Sequence, residues 1–287
     1  YVQLPSLNWK SDFIFNQQGV SGKISLDGGG IKAYGEIGKD RSKFYLKDFS
    51  VNNGQKVVST ASLSFDDKTN VTTGILNINS ENVYEFKEFF PFLKRGKLDI
   101  KTIYKQNASG ERKLDVFFFF FHLSTSVATC EVINVDLAVK NWDDFKLERA
   151  DIKLKSLVSN YGNLKSFSLK AKGEDDFIDF ASQVESMDSY LMNLKINSKL
   201  FISDLKKKRD DQGVNLKLVH NVSGTLGKAK IMTQEPITVI FGKVFSIIVP
   251  DIKANDGRLN LDLTLNDSQI KGKVVTKNFP AAVISKF

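Results

Sequence analysis

Apolar residues fall at every second position through most of this chain. The clearest run begins at Gly257, where Leu259, Leu261, Leu263 and Leu265 alternate with Asn260, Asp262 and Thr264. A period of two places all four leucines on one face of a strand and the polar residues on the other. The same alternation recurs at Ile24 and Leu26, where the series opens, then at Phe44 and Leu46, at Ala61, Leu63 and Phe65, and at Leu76 and Ile78. It continues through Leu98, Ile100 and Tyr104, through Leu114, Val116, Phe118 and Phe120, and through Ile133, Val135, Leu137 and Val139. In the second half it marks Ile152 and Leu154, Phe167 and Leu169, Leu194 and Ile196, Leu216 and Leu218, Ile237 to Phe241, Phe245 to Val249, and Ile270 to Val274. These segments predict an all-β fold, at about one strand per 12 residues, roughly 24 strands in all.

The punctuation suits hairpins. Asn52-Asn53-Gly54, Asp66-Asp67, Ser109-Gly110 and Asp256-Gly257 supply turn residues, and none of the five prolines sits inside the clearest alternating runs. No Pro/Gly/Ser-rich linker divides the chain, so residues 1–287 read as one continuous segment. Two stretches break the period of two. Ser80 to Arg95 predicts a short helix, with Ser80 as N-cap, Val83, Phe86, Phe89 and Phe90 on one face, and Pro91 ending or kinking it. Asp176 to Leu191 fits a helix or a strand equally well.

Composition narrows the function. No stretch approaches the roughly 18 to 20 apolar residues that a membrane-spanning helix needs. A net charge of +8 would suit an anionic partner, but lysine is spread over the polar faces of nearly every strand, as solvated faces and guarded edges require. The one dense basic cluster, Lys206-Lys207-Lys208-Arg209, runs straight into Asp210-Asp211 and has no interleaved aromatics, so nucleic acid is not the expected partner. The single cysteine, Cys130, excludes an intrachain disulfide and a cysteine-rich metal site. The first residues carry neither an initiator methionine nor a signal-peptide pattern and read as a segment cut from a longer protein.

Catalytic constellations do not emerge. His122 and His220 lack ligand spacing and read as polar or edge positions on strands. The adjacent acidic pairs read as turns, and Gly28-Gly29-Gly30 lacks the remainder of a phosphate-binding loop. No nucleophile elbow is present, so no enzyme, catalytic residue, metal or cofactor is expected. Phe117 to Phe121 places three rings on one face and two on the other. That strand is either buried on both sides or under a helix, or part of a wide apolar lining that contacts acyl chains.

The last hundred residues carry a recognisable order of elements. Val222-Ser-Gly-Thr-Leu-Gly-Lys-Ala-Lys-Ile contains an apolar-x-Gly strand, and Phe245-Ser-Ile-Ile-Val-Pro ends in proline. The Gly257 strand follows, and Gln269-Ile-Lys-Gly-Lys-Val-Val-Thr-Lys-Asn-Phe-Pro leads into a corner. This resembles the TamB family, within the AsmA-like group of bacterial envelope proteins. The segments Ile24-Ser-Leu-Asp-Gly-Gly and Phe44-Tyr-Leu-Lys-Asp-Phe-Ser are compatible with it.

The resemblance implies an elongated, curled antiparallel sheet, a β-taco whose apolar interior forms an open groove. It implies a periplasmic protein, anchored in the inner membrane outside the present chain, with an outer-membrane barrel partner of the Omp85 or TamA type. Its expected activity is transfer of phospholipid to the outer membrane, assembly or secretion of outer-membrane proteins such as autotransporters, or both, with phospholipid acyl chains as direct partners. The candidate lining is Leu114, Val116, Phe118, Phe120, Ile133, Val135, Leu137, Val139, Leu259, Leu261, Leu263 and Leu265. The alternative is a structural or adhesive β-protein, a β-helix or sandwich whose apolar face is a closed core.

Overall fold

The computed structural model describes residues 8–17, 19–28, 31–53, 56–86, 91–141, 146–160, 162–187, 192–202, 216–242, 244–266 and 269–280. The chain divides into two compact units, Tyr1–Phe145 and Lys146–Phe287. Both are all-β, and no α-helix occurs among the described residues.

The first unit holds nine strands: β1 (Asn8–Asn16), β2 (Gly19–Gly28), β3 (Ile31–Asp40), β4 (Lys43–Asn53), β5 (Lys56–Asp66), β6 (Val71–Ser80), β7 (Leu93–Gln106), β8 (Arg112–Thr125) and β9 (Ala128–Lys140). Each pairs antiparallel with the next in sequence. The second unit holds β10 (Lys146–Ser159), β11 (Gly162–Gly173), β12 (Phe177–Ser186), β13 (Met192–Phe201), β14 (Leu216–Leu226), β15 (Ala229–Thr233), β16 (Ile237–Phe241), β17 (Val244–Ala254), β18 (Gly257–Asn266) and β19 (Gln269–Lys277), again antiparallel throughout. The described residues thus form 19 strands, fewer than the density of alternation suggested, because several run to 14 residues.

Three sequence expectations change. The alternating series begins one strand early, at β1, whose Trp9, Phe13 and Phe15 share a face. Among the described residues the stretch from Ser80 yields a single 3-10 turn, Val83–Phe86, with β7 already under way at Leu93. The cap is Asn82 rather than Ser80: Asn82 Oδ1 accepts from the Tyr84 amide at 3.1 Å, while the Ser80 hydroxyl accepts from the Asn82 amide at 3.1 Å and donates to Glu85 at 3.0 Å. Residues 87–90, with Phe89 and Phe90, lie outside the described set, as does the basic cluster at 206–209. Proline does not end the Phe245 strand, since β17 runs on to Ala254 with a bulge between Val249 and Ile252 that accommodates Pro250. At a bulge no ladder bond is asked of the missing N–H. Of the ambiguous stretch from Asp176 to Leu191, Phe177–Ser186 is strand β12, and residues 188–191 lie outside the described set.

Bulges keep the apolar side chains together where strict alternation would split them. In β4 the even positions Phe44 and Leu46 give way to the odd positions Phe49 and Val51, with Asp48 at φ 47 between them. The extra residue resets the parity, so all four face the same side. The β17 bulge does the same for Val249 and Ile252. Strands β15 and β16 share one slot, both pairing β14 on one side and β17 on the other. The break at Gln234-Glu235-Pro236 is satisfied locally: the Gln234 amide donates to the Asp251 carbonyl and the Val222 amide to Thr233 Oγ1.

Each unit has a small buried cluster at one end. In the first, Val83 packs with Leu93, Leu98 and Phe120, the 3-10 turn folding over the ends of β7 and β8. In the second, Leu226, Ala229, Ile231 and Ala254 cluster, with Phe279 packed against them. The chain after β19 crosses so close to Gly257 that a Cβ there would lie 2.3 Å from the Asn278 carbonyl oxygen. Gly224 is constrained twice, by φ +146° and by an Asn193 carbonyl oxygen that would lie 2.0 Å from a Cβ. Gly224→Ala is therefore expected to cost about 1–3 kcal/mol, measurable as a lower urea midpoint, because the clash is with backbone.

Candidate functional site

Residues directly opposite one another on paired strands share a face, so register turns the sequence into a map of each face. In the first unit one rung reads Phe13, Gly22, Ile37, Leu46, Leu63, Gly74, Tyr104, Leu114, Val139. It crosses all nine strands without a charged residue. On the same face Leu76, Thr102, Val116 and Leu137 form the adjoining rung, followed by Ile78, Ile100, Phe118 and Val135, and then by Leu98, Phe120 and Ile133. All eight predicted lining residues of β8 and β9 fall on this face, paired Leu114–Val139, Val116–Leu137, Phe118–Val135 and Phe120–Ile133.

The second unit repeats the arrangement. Gly173, Ile178, Leu200, Leu218, Val239, Ile247, Leu263 and Gly272 form one rung through eight strands. Leu259, Leu261 and Leu265 share its face, opposite Ile252, Val249 and Phe245 of β17. The four leucines therefore share one face, as the alternation predicted, and stand in register with apolar partners on β17.

The opposite faces are polar. In the first unit the Ser64 and Thr73 hydroxyls meet at 2.9 Å and Asn77 Nδ2 donates to Thr60 at 3.3 Å, all across neighbouring strands. In the second, Lys165 pairs with Glu185 at 2.9 Å and Lys199 with Asp179 at 3.7 Å. Such exposed pairs stabilise little, about 0–1 kcal/mol each, but they keep this side in water. Apolar side chains interrupt this side too, among them Ile75 of β6 and part of the phenylalanine run. Phe118 and Phe120 point to the apolar side, their rings edge-on at 4.5 Å, while Phe117 and Phe119 stand about 40% exposed on the polar side (38% and 40%).

Exposure decides whether the apolar faces are closed cores. A facing layer would bury them, yet Ile37 (38%), Phe44 (43%), Leu63 (48%) and Leu76 (37%) remain open. Among large side chains of the described residues only Val83 is wholly buried. The predicted lining is graded in the same way: Phe120 and Val139 are buried, Leu265 is exposed, and the rest are half-buried. Half-burial is what lateral neighbours alone provide. Eight inter-strand steps of about 4.8 Å make the uncharged rung of the first unit roughly 40 Å long, a continuous apolar lane with its side chains only partly covered.

No protein-family model, curated protein or solved structure matches this chain. The likeness to the TamB family rests on the sequence motifs alone.

Other features are sparse. Cavities of about 520 and 490 Å³ lie on the polar faces, between long side chains such as Lys170, Lys172 and Lys199 in the second unit and Lys10, Lys23 and Tyr34 in the first. Among the described residues no group of three or more His, Cys, Asp or Glu side chains converges, and no helix is long and apolar enough to cross a membrane. Cys130 is a buried thiol in β9 that donates to the Val132 carbonyl at 3.3 Å. His122 is an exposed strand residue, as expected, but with left-handed backbone at φ 53 beside the register shift of β7 and β8. His220 is placed differently from expectation. It sits mid-strand in β14 and half-buried on the apolar side, with Nδ1 2.7 Å from Ser198 Oγ. Burial lowers its pKa below the ordinary 6.5. Alternation within Leu216, Leu218 and Val222 carried that signal, because His220 shares their parity.

Proposed function

We propose that the apolar faces hold lipid acyl chains. On this reading the chain is a periplasmic segment of a TamB-like protein, anchored in the inner membrane, that passes phospholipid toward the outer membrane or supports assembly of outer-membrane proteins with a barrel partner. The observation that carries it is the uncharged rung through nine strands of the first unit, left without a covering layer. Burial of each methylene contributes about 0.8 kcal/mol, so a few tens of ångströms of such surface would retain a chain. The attraction has no direction, so a chain can slide from rung to rung without meeting a specific site. Carriage of this kind needs no catalytic group, cofactor or nucleic acid.

The alternative, a structural or adhesive β-protein, requires the apolar faces to be closed cores, and the open side chains at Ile37, Phe44 and Leu63 argue against that. Native mass spectrometry of the 287-residue chain, purified from bacterial membranes in mild detergent, separates the two. Phospholipid masses retained on the folded protein are expected. A lipid-free protein that also fails to take up added phospholipid contradicts the proposal.

A further inference from the structure

We propose that Ser198 and His220 form a seat for the carboxylate of a fatty acid whose tail lies on the second unit's apolar face. This rests on the acyl-chain reading above and adds the chemistry of the headgroup. The two residues stand directly opposite each other on β13 and β14, in the rung Phe180, Ser198, His220, Ile237. The adjoining rungs are apolar: Leu200, Leu218 and Val239 on one side, Ile196 and Val222 on the other.

No charged side chain shares the face at these positions. β12 presents Ile178, Phe180 and Ser182; β13 presents Ile196 and Leu200; β14 presents Leu218 and Val222; β16 presents Ile237 and Val239. Lys199 and Asp179 belong to the opposite face. The imidazole is therefore a titratable group in an apolar lane, its pKa lowered by burial, with Nδ1 engaged by Ser198 and no protein partner on Nε2 among the described residues. Among the described residues no carboxylate faces Nε2 to orient the ring as the base of a nucleophilic serine.

The pair gains a second donor when protonated. In the imidazolium form Nδ1–H donates to Ser198 Oγ, which frees the serine O–H, while Nε2–H also points out. Two donors suit the two oxygens of a carboxylate, and the ligand's negative charge compensates the buried positive one. Ligand and proton then bind together, so affinity rises as pH falls.

The test uses the full 287-residue chain with decanoate, its uncharged twin decanol, and dihexanoyl phosphatidylglycerol as a phosphodiester, each below its micelle concentration, by calorimetry at pH 6 and pH 8. Decanoate is expected to bind at least tenfold more tightly than decanol at pH 6 and less than threefold more tightly at pH 8. Only two histidines occur in the chain, so the ¹⁵N shifts of His220 can be followed directly and should report protonation on binding. His220→Leu should abolish the decanoate preference and bind decanol at least as well, which also shows that it folds. Ser198→Ala should reduce the preference at least threefold. Equal, histidine-independent binding of decanoate and decanol overturns the seat and leaves the acyl-chain reading standing. Binding of neither overturns both. A histidine-dependent preference for the phosphodiester as large as that for decanoate overturns the assignment to carboxylate.

Discussion

An aspartate placed in the central rung of each unit, Leu114→Asp with Leu263→Asp, is expected to weaken acyl-chain binding by about 2–3 kcal/mol, roughly 30- to 160-fold. Leu114 stands between Tyr104 and Val139, and Leu263 between Ile247 and Gly272. A chain crossing either point would lose contact for about three methylenes, each worth about 0.8 kcal/mol, and would have to strip water from a carboxylate to continue. The sheet should survive, because both leucines are only half-buried and the carboxylates can stay in water. The matched control is Asn134→Asp with Asn260→Asp, one position from the lanes and exposed on the polar faces. It should change binding less than twofold. Displacement of a fluorescent fatty acid from the purified variants measures both. A similar loss in the control would mean that charge alone matters and that the face assignment is wrong.

Val83→Asp is expected to cost about 3–5 kcal/mol and to lower the melting temperature of the first unit by many degrees. Val83 has no exposed surface and packs against Leu93, Leu98 and Phe120. A carboxylate there would be buried without a cation or donor, so it must either protonate at a cost or expel the turn from the sheet. The neighbouring Tyr84 is 48% exposed, and Tyr84→Asp should cost less than about 0.5 kcal/mol. Thermal unfolding followed by circular dichroism compares them. Equal effects would show that the 3-10 turn does not anchor that end of the sheet.

Much of this was legible in the sequence, and the limits have physical causes. The all-β class followed from period two, and so did the shared face of Leu259, Leu261 and Leu263, because alternation is a backbone property. Bulges were not legible: nothing in Lys47-Asp48-Phe49 announces that Asp48 takes a left-handed conformation, yet that residue decides whether Phe49 joins Phe44 on one face. The helix expected from Ser80 to Arg95 cannot reach that end because Leu93 is taken into β7, where pairing with β8 outweighs local propensity. β1 was overlooked because Ser11 and Asp12 interrupt its apolar positions, although register with β2 places Trp9, Phe13 and Phe15 with the rest. His220 was read as a polar or edge residue from its type, whereas its parity with Leu218 and Val222 set its side. Whether an apolar face is open or closed has no signature in alternation at all. That came from the exposure of Ile37, Phe44 and Leu63.

The most direct test places a photo-crosslinking amino acid at single positions along β9 and β18 in cells and asks which positions capture lipid. Capture is expected at 135, 261 and 263, on the apolar faces, and not at 134, 260 and 262, one residue away on the polar faces. Capture at the polar set, or equal capture at both, would contradict the claim that the apolar faces carry acyl chains.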